Sequence, residues 1–264
     1  MVTFPNAKIN LGLNVLRKRR DGYHDIDSCL YPIPWCDALE IVQADSLSFH
    51  PSGLVIPGDP NDNLCIKAFN LVSQEVKNLP PVAIYLHKAI PMGAGLGGGS
   101  SDGACMIKLL NEEFGLGLDE ERMEYLASQL GSDCPFFIKN GPALATGTGT
   151  DLRPIELDLS GMHVGLIYPS VHVSTKAAYA GVSPAVPEVV IQEVLASPMN
   201  EWKDRLVNDF EASIFPNHPK LLQMKEKLYE MGAVYAAMSG SGSAMFGLFR
   251  EEPDQGELDF SKPL

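Results

Sequence analysis

Between Ala7 and Leu16 apolar and polar residues alternate without a break. Ile9, Leu11, Leu13 and Val15 fall on one face, and Lys8, Asn10, Gly12 and Asn14 on the other. That is the period-2 signature of a strand. A second strand is predicted over 37–43, and a third where Val82, Ile84 and Leu86 alternate. Helical spacing predicts a helix over 63–77, with Asn61 and Asp62 as candidate caps. A further helix is expected from Ser100 to Phe114, stopped by Gly115. Asp119 would cap the next, where Met123, Leu126, Ala127 and Leu130 keep the spacing until Gly131.

Gly147-Thr148-Gly149-Thr150-Asp151 breaks the pattern, and a domain boundary is placed there, dividing the chain into 1–150 and 151–264. The second part reads as a strand over 163–168, then helices near 175–180, 188–196, 200–213 and 218–231. Strands follow over 234–238 and 244–249, separated by Ser239-Gly240-Ser241-Gly242-Ser243. The acidic tail after Arg250 is expected to be loosely ordered. Mixed strands, helices and hairpins predict an α+β fold in two lobes.

Composition narrows the class. Apolar residues make up 45% of the 264, enough for a core. No run approaches the roughly 18 to 20 apolar residues of a membrane span, and no secretory leader is recognised, so a cytoplasmic protein is expected. The net charge of −13 argues against a nucleic-acid partner. The one basic run, Arg17 to Arg20, leads into Asp21-Gly22 and reads as a hairpin tip. Five scattered cysteines without a Cys-x-x-Cys pair read as reduced thiols. The histidines show no helical pair spacing, so zinc has little support.

The densest chemical signal is Pro91-Met92-Gly93-Ala94-Gly95-Leu96-Gly97-Gly98-Gly99-Ser100-Ser101-Asp102. Such a glycine run excludes regular structure and lets backbone amides converge. A helix starting at once adds unpaired N–H groups and the positive end of its dipole, which suits phosphate. No Lys stands where a Walker loop requires one. Gly93, Gly95 and Gly98 match Gly-x-Gly-x-x-Gly, but the acidic residues about 20 positions on open a helix rather than end a strand, against a dinucleotide fold. The loops of protein kinases are absent as well.

With that turn in view, the chain resembles the GHMP small-molecule kinases. The turn matches their second motif, and Ser239 to Ser243 resembles their third. Ala7-Lys8-Ile9-Asn10-Leu11 with Lys18-Arg19-Arg20-Asp21-Gly22-Tyr23-His24, and Gly131-Ser132-Asp133-Cys134-Pro135-Phe136-Phe137, resemble the branch acting on a cytidine diphosphate-linked methylerythritol. Gly103 and Cys134 stand where that branch commonly has Ala and Val, and the chain looks short after Phe249.

The resemblance implies ATP and Mg²⁺, with ATP held in a cleft between an N-terminal GHMP lobe and a ferredoxin-like C-terminal lobe. Asp133 would be the general base and Lys8 its charged partner. Residues 91 to 101 (Pro91, Met92, Gly93, Ala94, Gly95, Leu96, Gly97, Gly98, Gly99, Ser100, Ser101) would hold ATP, with Lys88 and Asn63 as weaker contacts. Asn10, Tyr23, His24, Thr175 and Tyr179 would hold the substrate, two rings flanking its cytosine. Without the resemblance, Asp133 reads as a cap or turn residue, Lys8 as an exposed strand lysine, and Asp102 as a dipole partner or magnesium neighbour. Metal ligands and oligomeric state are not assigned. The expected activity is phosphorylation of the 2-hydroxyl of the cytidine compound, in non-mevalonate isoprenoid synthesis. Another GHMP kinase, acting on a sugar, homoserine or mevalonate-type alcohol, and a non-catalytic nucleotide-binding module are the alternatives.

Overall fold

In chain order the elements begin with β1 (Val2–Thr3), β2 (Asn6–Lys18), β3 (His24–Cys36), β4 (Ala38–Gln43) and β5 (Ser48–Gly53). Then come α1 (Leu64–Glu75), β6 (Val82–Lys88), α2 (Gly98–Glu113), α3 (Glu120–Ser128) and α4 (Phe136–Lys139). β7 (Ala143–Thr146), β8 (Asp151–Pro154) and β9 (His163–Ile167) follow, then α5 (Thr175–Gly181), α6 (Ile191–Leu195), α7 (Trp202–Arg205), α8 (Asp209–Ile214) and α9 (Pro219–Glu230). The chain ends with β10 (Tyr235–Met238), β11 (Met245–Phe249) and β12 (Phe260–Pro263). The structure, a computed structural model, describes residues 1–169, 171, 173–254, 256 and 258–264.

The chain packs into two units made of interleaved segments. The first comprises Met1–Ala7, Trp35–Met92 and Gly97–Gly141. Its sheet has the order β1-β4-β6-β5, antiparallel except for the parallel β5–β6 pair. That parallel pair needs a crossover, which α1 supplies. Leu39, Ile41, Val82, Ile84 and Leu86 are buried, while Glu40, Val42, Tyr85 and His87 are exposed. One face is therefore solvated, and the other lies beneath the apolar stripes of α1 (Cys65, Phe69, Val72) and α2 (Ala104, Ile107, Leu110). The helices approach closely at Gly103, where an added Cβ would lie 3.0 Å from Leu64 Cβ and 3.2 Å from Leu130 Cδ1. Such a gap accounts for glycine at this position.

The second unit comprises Lys8–Pro34, Gly93–Leu96 and Pro142–Leu264. It holds two sheets, β2-β3-β7-β8 and β10-β11-β9-β12. A core of Leu13, Val15, Ile26, Ile167, Phe210, Leu221, Leu228, Met238 and Phe249 joins both sheets to α8 and α9. The basic run is a hairpin tip: Arg19 N donates to Tyr23 O at 2.8 Å, and Arg17 and Arg19 both clasp Asp25. Those guanidinium groups, Arg17 foremost, hold the Asp25 carboxyl below its ordinary range.

Three expectations need correction. Asn63, rather than Asn61 or Asp62, caps α1, accepting from Cys65 N at 2.9 Å. The helix expected over 200–213 is two helices, α7 and α8, split around Val207 and Asn208. The tail is not loose throughout, because β12 adds an antiparallel edge to β9. Gly147 to Thr150 is locally the turn of the β7–β8 hairpin, with Thr146 facing Asp151 and Gly147 and Gly149 at positive φ. All five cysteines are unpaired thiols. No described helix is long and apolar enough to cross a membrane.

Candidate active site

β2 carries its polar face into the interior. Lys8 is 3% exposed, Asn10 4% and Asn14 6%, so both faces of the strand are covered and Lys8 is not an exposed strand lysine. A buried polar group is costly unless paired. Lys8 Nζ donates to Asn10 Oδ1 at 2.6 Å, Asn10 Nδ2 to Ser28 Oγ at 2.8 Å, and Ser28 Oγ to Gly12 O at 2.7 Å. This relay fixes the rotamers of Lys8 and Asn10.

Three donors of the second unit hold the Gly93–Leu96 segment. Lys8 N reaches Leu96 O at 2.9 Å and Ala244 N reaches Ala94 O at 3.0 Å, while Ser239 Oγ donates to Gly95 O at 2.8 Å. Gly93, Gly95 and Gly97 all take positive φ, as the glycine run requires. The third glycine loop, residues 239–243, is fixed in turn by Asn208, whose Nδ2 donates to Met238 O and Gly240 O, both at 2.8 Å. Nothing in the sequence reading singles out Asn208 or Ser28. A motif search passes over them because each works through backbone carbonyls far along the chain.

In the first unit, α2 opens at Gly97 in the left-handed region without a side-chain cap. Its first amides are the unpaired donors and positive dipole end that a phosphate takes up. Ser100 is half-buried and Ser101 fully buried, while Met92 and Gly93 are exposed. Asp133 is half-buried in the turn between α3 and α4.

Lys88 and Asp102 are placed differently from expectation. Lys88 is 2% exposed, its ammonium paired with Asp37 and, at 2.6 Å, with Asp102. Its charge is committed to those carboxylates, so it is not an open contact for ATP. Asp102 is the fifth helical residue, and its partner is Lys88 rather than the helix dipole of the first turn. Asn63 spends its side-chain oxygen on the α1 cap.

Of the residues expected to hold the substrate, His24 and Tyr179 are stacked, ring centroids 4.8 Å apart, and Tyr179 meets Phe210 edge-on. Tyr23 is 68% exposed. Thr175 Oγ1 lies 3.1 Å from Ser241 Oγ, which ties the start of α5 to the third glycine loop. Among the described residues no three His, Cys, Asp or Glu side chains converge as a metal cage.

A glycine turn opening an uncapped helix, and a second glycine loop braced against it, describe a phosphate-handling protein. Residues 63–141 match the profile of the GHMP kinases N terminal domain, and 191–260 that of the GHMP kinases C terminal domain. The chain belongs to the GHMP kinase family and is an ATP-dependent kinase. Within that family it groups with the 4-diphosphocytidyl-2-C-methyl-D-erythritol kinases. The protein of that name from Parabacteroides distasonis is 52% identical over 251 residues, covering 95% of this chain and 92% of that one. The one from Bacteroides fragilis is 51% identical, covering 98% and 96%. A crystal structure of 4-(cytidine 5'-diphospho)-2C-methyl-D-erythritol kinase superposes with a TM-score of 0.82 at 33% identity, covering 94% of this chain and 90% of that one. Homoserine kinase from Cytophaga hutchinsonii, at a TM-score of 0.69 and 16% identity over 94% and 86% of the two chains, shares the fold.

Proposed function

We propose that this protein transfers the γ-phosphoryl group of ATP to the 2-hydroxyl of 4-diphosphocytidyl-2-C-methyl-D-erythritol. The observation that carries the reading is similarity along nearly the whole chain to kinases named for that substrate. The braced glycine turn leading into an uncapped α2 is the physical counterpart. A division into N- and C-terminal GHMP domains near residue 150 belongs to the same reading, with one profile matching on either side.

Phosphoryl transfer asks the protein for positioning and positive charge more than for covalent chemistry. The amides at the start of α2 would cradle the ATP phosphates, with the Ser100 hydroxyl as a further donor. Mg²⁺ keeps several waters and prefers phosphate oxygens to an all-protein cage, so it would arrive with ATP and neutralise charge there. Asp133 would take or orient the proton of the 2-hydroxyl, and Lys8, its rotamer locked by Asn10, would supply charge to the attacking oxygen. Tyr23, His24 and Tyr179 would read the cytosine, and Thr175 and Asn10 the rest of the substrate. A kinase drawing on ATP fits the cytoplasm.

ADP release from purified protein with Mg-ATP tests the reading against a panel of alcohols. Turnover confined to the cytidine compound is expected. Turnover with mevalonate, homoserine or a sugar would replace the substrate. No turnover from folded protein across the panel would favour a nucleotide-binding module.

A further inference from the structure

The proposed chemistry leaves one buried cluster of charge unused. Lys88 ends β6, Asp102 lies in α2, and Asp37 immediately precedes β4. Their side chains are 1%, 4% and 0% exposed, and the ammonium touches both carboxylates. Asp37 Oδ1 also accepts the amides of Ala89 at 2.6 Å and Ile90 at 2.8 Å, the first two residues after β6. At the far end of the turn, a Cβ added to Gly98 would lie 3.1 Å from Lys88 Nζ and 2.9 Å from Ile90 Cγ2. The ammonium thus sits against the first residue of α2.

Burying ions costs more than burying apolar side chains of similar size, so three charges here are poor value as mere stabilisation. What they add is direction, because each bond fixes a backbone position. Asp37 sets the first peptides of the turn, and the Lys88–Asp102 bond ties the strand that enters it to the helix that leaves it. Two carboxylates share one ammonium. Asp37 has two amide donors besides, whereas Asp102 Oδ1 has no partner among the described residues. Burial, against the pull of Lys88, pushes the Asp102 carboxyl up to about 8. Of the two carboxylates, Asp102 is thus the less well compensated partner of the ammonium.

We propose that Lys88 is a positioning residue for ATP: with Asp37 and Asp102 it holds the end of β6 and the start of α2 at the separation the phosphates require. The inference rests on the ATP-binding reading of the turn. It replaces the direct ATP contact expected of Lys88 with an action through the backbone.

The test compares Lys88→Met with the double variant Lys88→Met/Asp102→Asn, reading KM for ATP, KM for the alcohol, kcat and Tm. Lys88→Met is expected to raise KM for ATP about tenfold or more, as small misplacements of a binding frame do, and to leave KM for the alcohol within about twofold. Asp102→Asn on that background removes a stranded carboxyl and is expected to recover much of the lost Tm. It should not recover KM for ATP. Recovery of both, or a KM for ATP within about twofold of the parent in Lys88→Met, would reduce the cluster to a structural element and overturn the proposal. If Lys88→Met does not fold, the double variant alone gives the same reading. Parent protein that binds a fluorescent ATP analogue but shows no turnover would sink the proposed function. The positioning claim would then be read from the analogue's affinity in the same variants.

Discussion

Ser239 donates its hydroxyl to the carbonyl of Gly95 at 2.8 Å, across 144 residues of sequence. The Gly93–Leu96 segment and the third glycine loop are thereby braced against each other. Gly95 sits at φ +81°, and a Cβ there would overlap the Ser239 carbonyl oxygen.

Gly95→Ala should therefore be among the most damaging single changes in the turn. Left-handed backbone costs a residue with a Cβ about 1–2 kcal/mol, and the overlap must push the loops apart. Turnover per folded molecule is expected to fall about 10²-fold or more. Ser239→Ala removes one hydrogen bond worth about 1 kcal/mol and should cost far less. Steady-state kinetics with Tm on both variants checks the order, and equal losses would discount the overlap.

Asp133→Asn should lower kcat by about 10²- to 10⁴-fold, the usual span of general-base assistance. KM for ATP and for the alcohol should stay near parental values. Unchanged turnover would remove Asp133 from the chemistry.

The fold was legible where periodicity was regular. β2, β6, α1, α2 and α9 follow from alternation or helical spacing, and the glycine turn from composition. β3 was not, because Pro32 and Pro34 interrupt its pattern. The structure accommodates them beyond Ser28, Cys29 and Leu30, the residues paired with β7, where no ladder on that side is broken. Nor was β12 legible, since an acidic, short C-terminal run becomes a strand only because β9 offers it an edge. Among the candidate site residues, the shared strand face of Lys8 and Asn10 was readable, but their burial depends on packing that alternation does not encode. The Lys88 cluster was hidden because Asp37 and Lys88 stand 51 positions apart, and isolated charges read as solvated.

Asp102 gives stability a pH signature. Its carboxyl titrates near 3.8 when unfolded and near 8 when folded, chiefly through burial. The folded state thus binds the extra proton between those values. The stabilisation is complete below about pH 4 and is lost as pH rises towards 8. Asp102→Asn cannot titrate, so the Tm of the parent minus that of the variant should shrink from pH 5 to pH 8 and then level. A constant difference would show that Asp102 is ionised throughout.

Tyr179 meets Phe210 edge-on and has His24 stacked on one face, so a base stacking there takes the place of the imidazole. Tyr179→Ala should raise KM for the cytidine substrate roughly 5- to 150-fold, the equivalent of about 1–3 kcal/mol of stacking. Tyr179→Phe should stay close to the parent, and KM for ATP should not move in either. Cytidine nucleotides should compete with the alcohol substrate, and lack of competition would discard the cytosine reading.

³¹P NMR of the product formed from 4-diphosphocytidyl-2-C-methyl-D-erythritol and Mg-ATP locates the transferred phosphate. The C2 carbon carries a methyl group and no hydrogen, so a phosphate placed on its hydroxyl gives a monoester resonance without three-bond coupling to a proton. The proposed function requires one such uncoupled resonance for each ADP released. A monoester resonance split by carbinol protons, or ATP consumed without a new monoester, would contradict it.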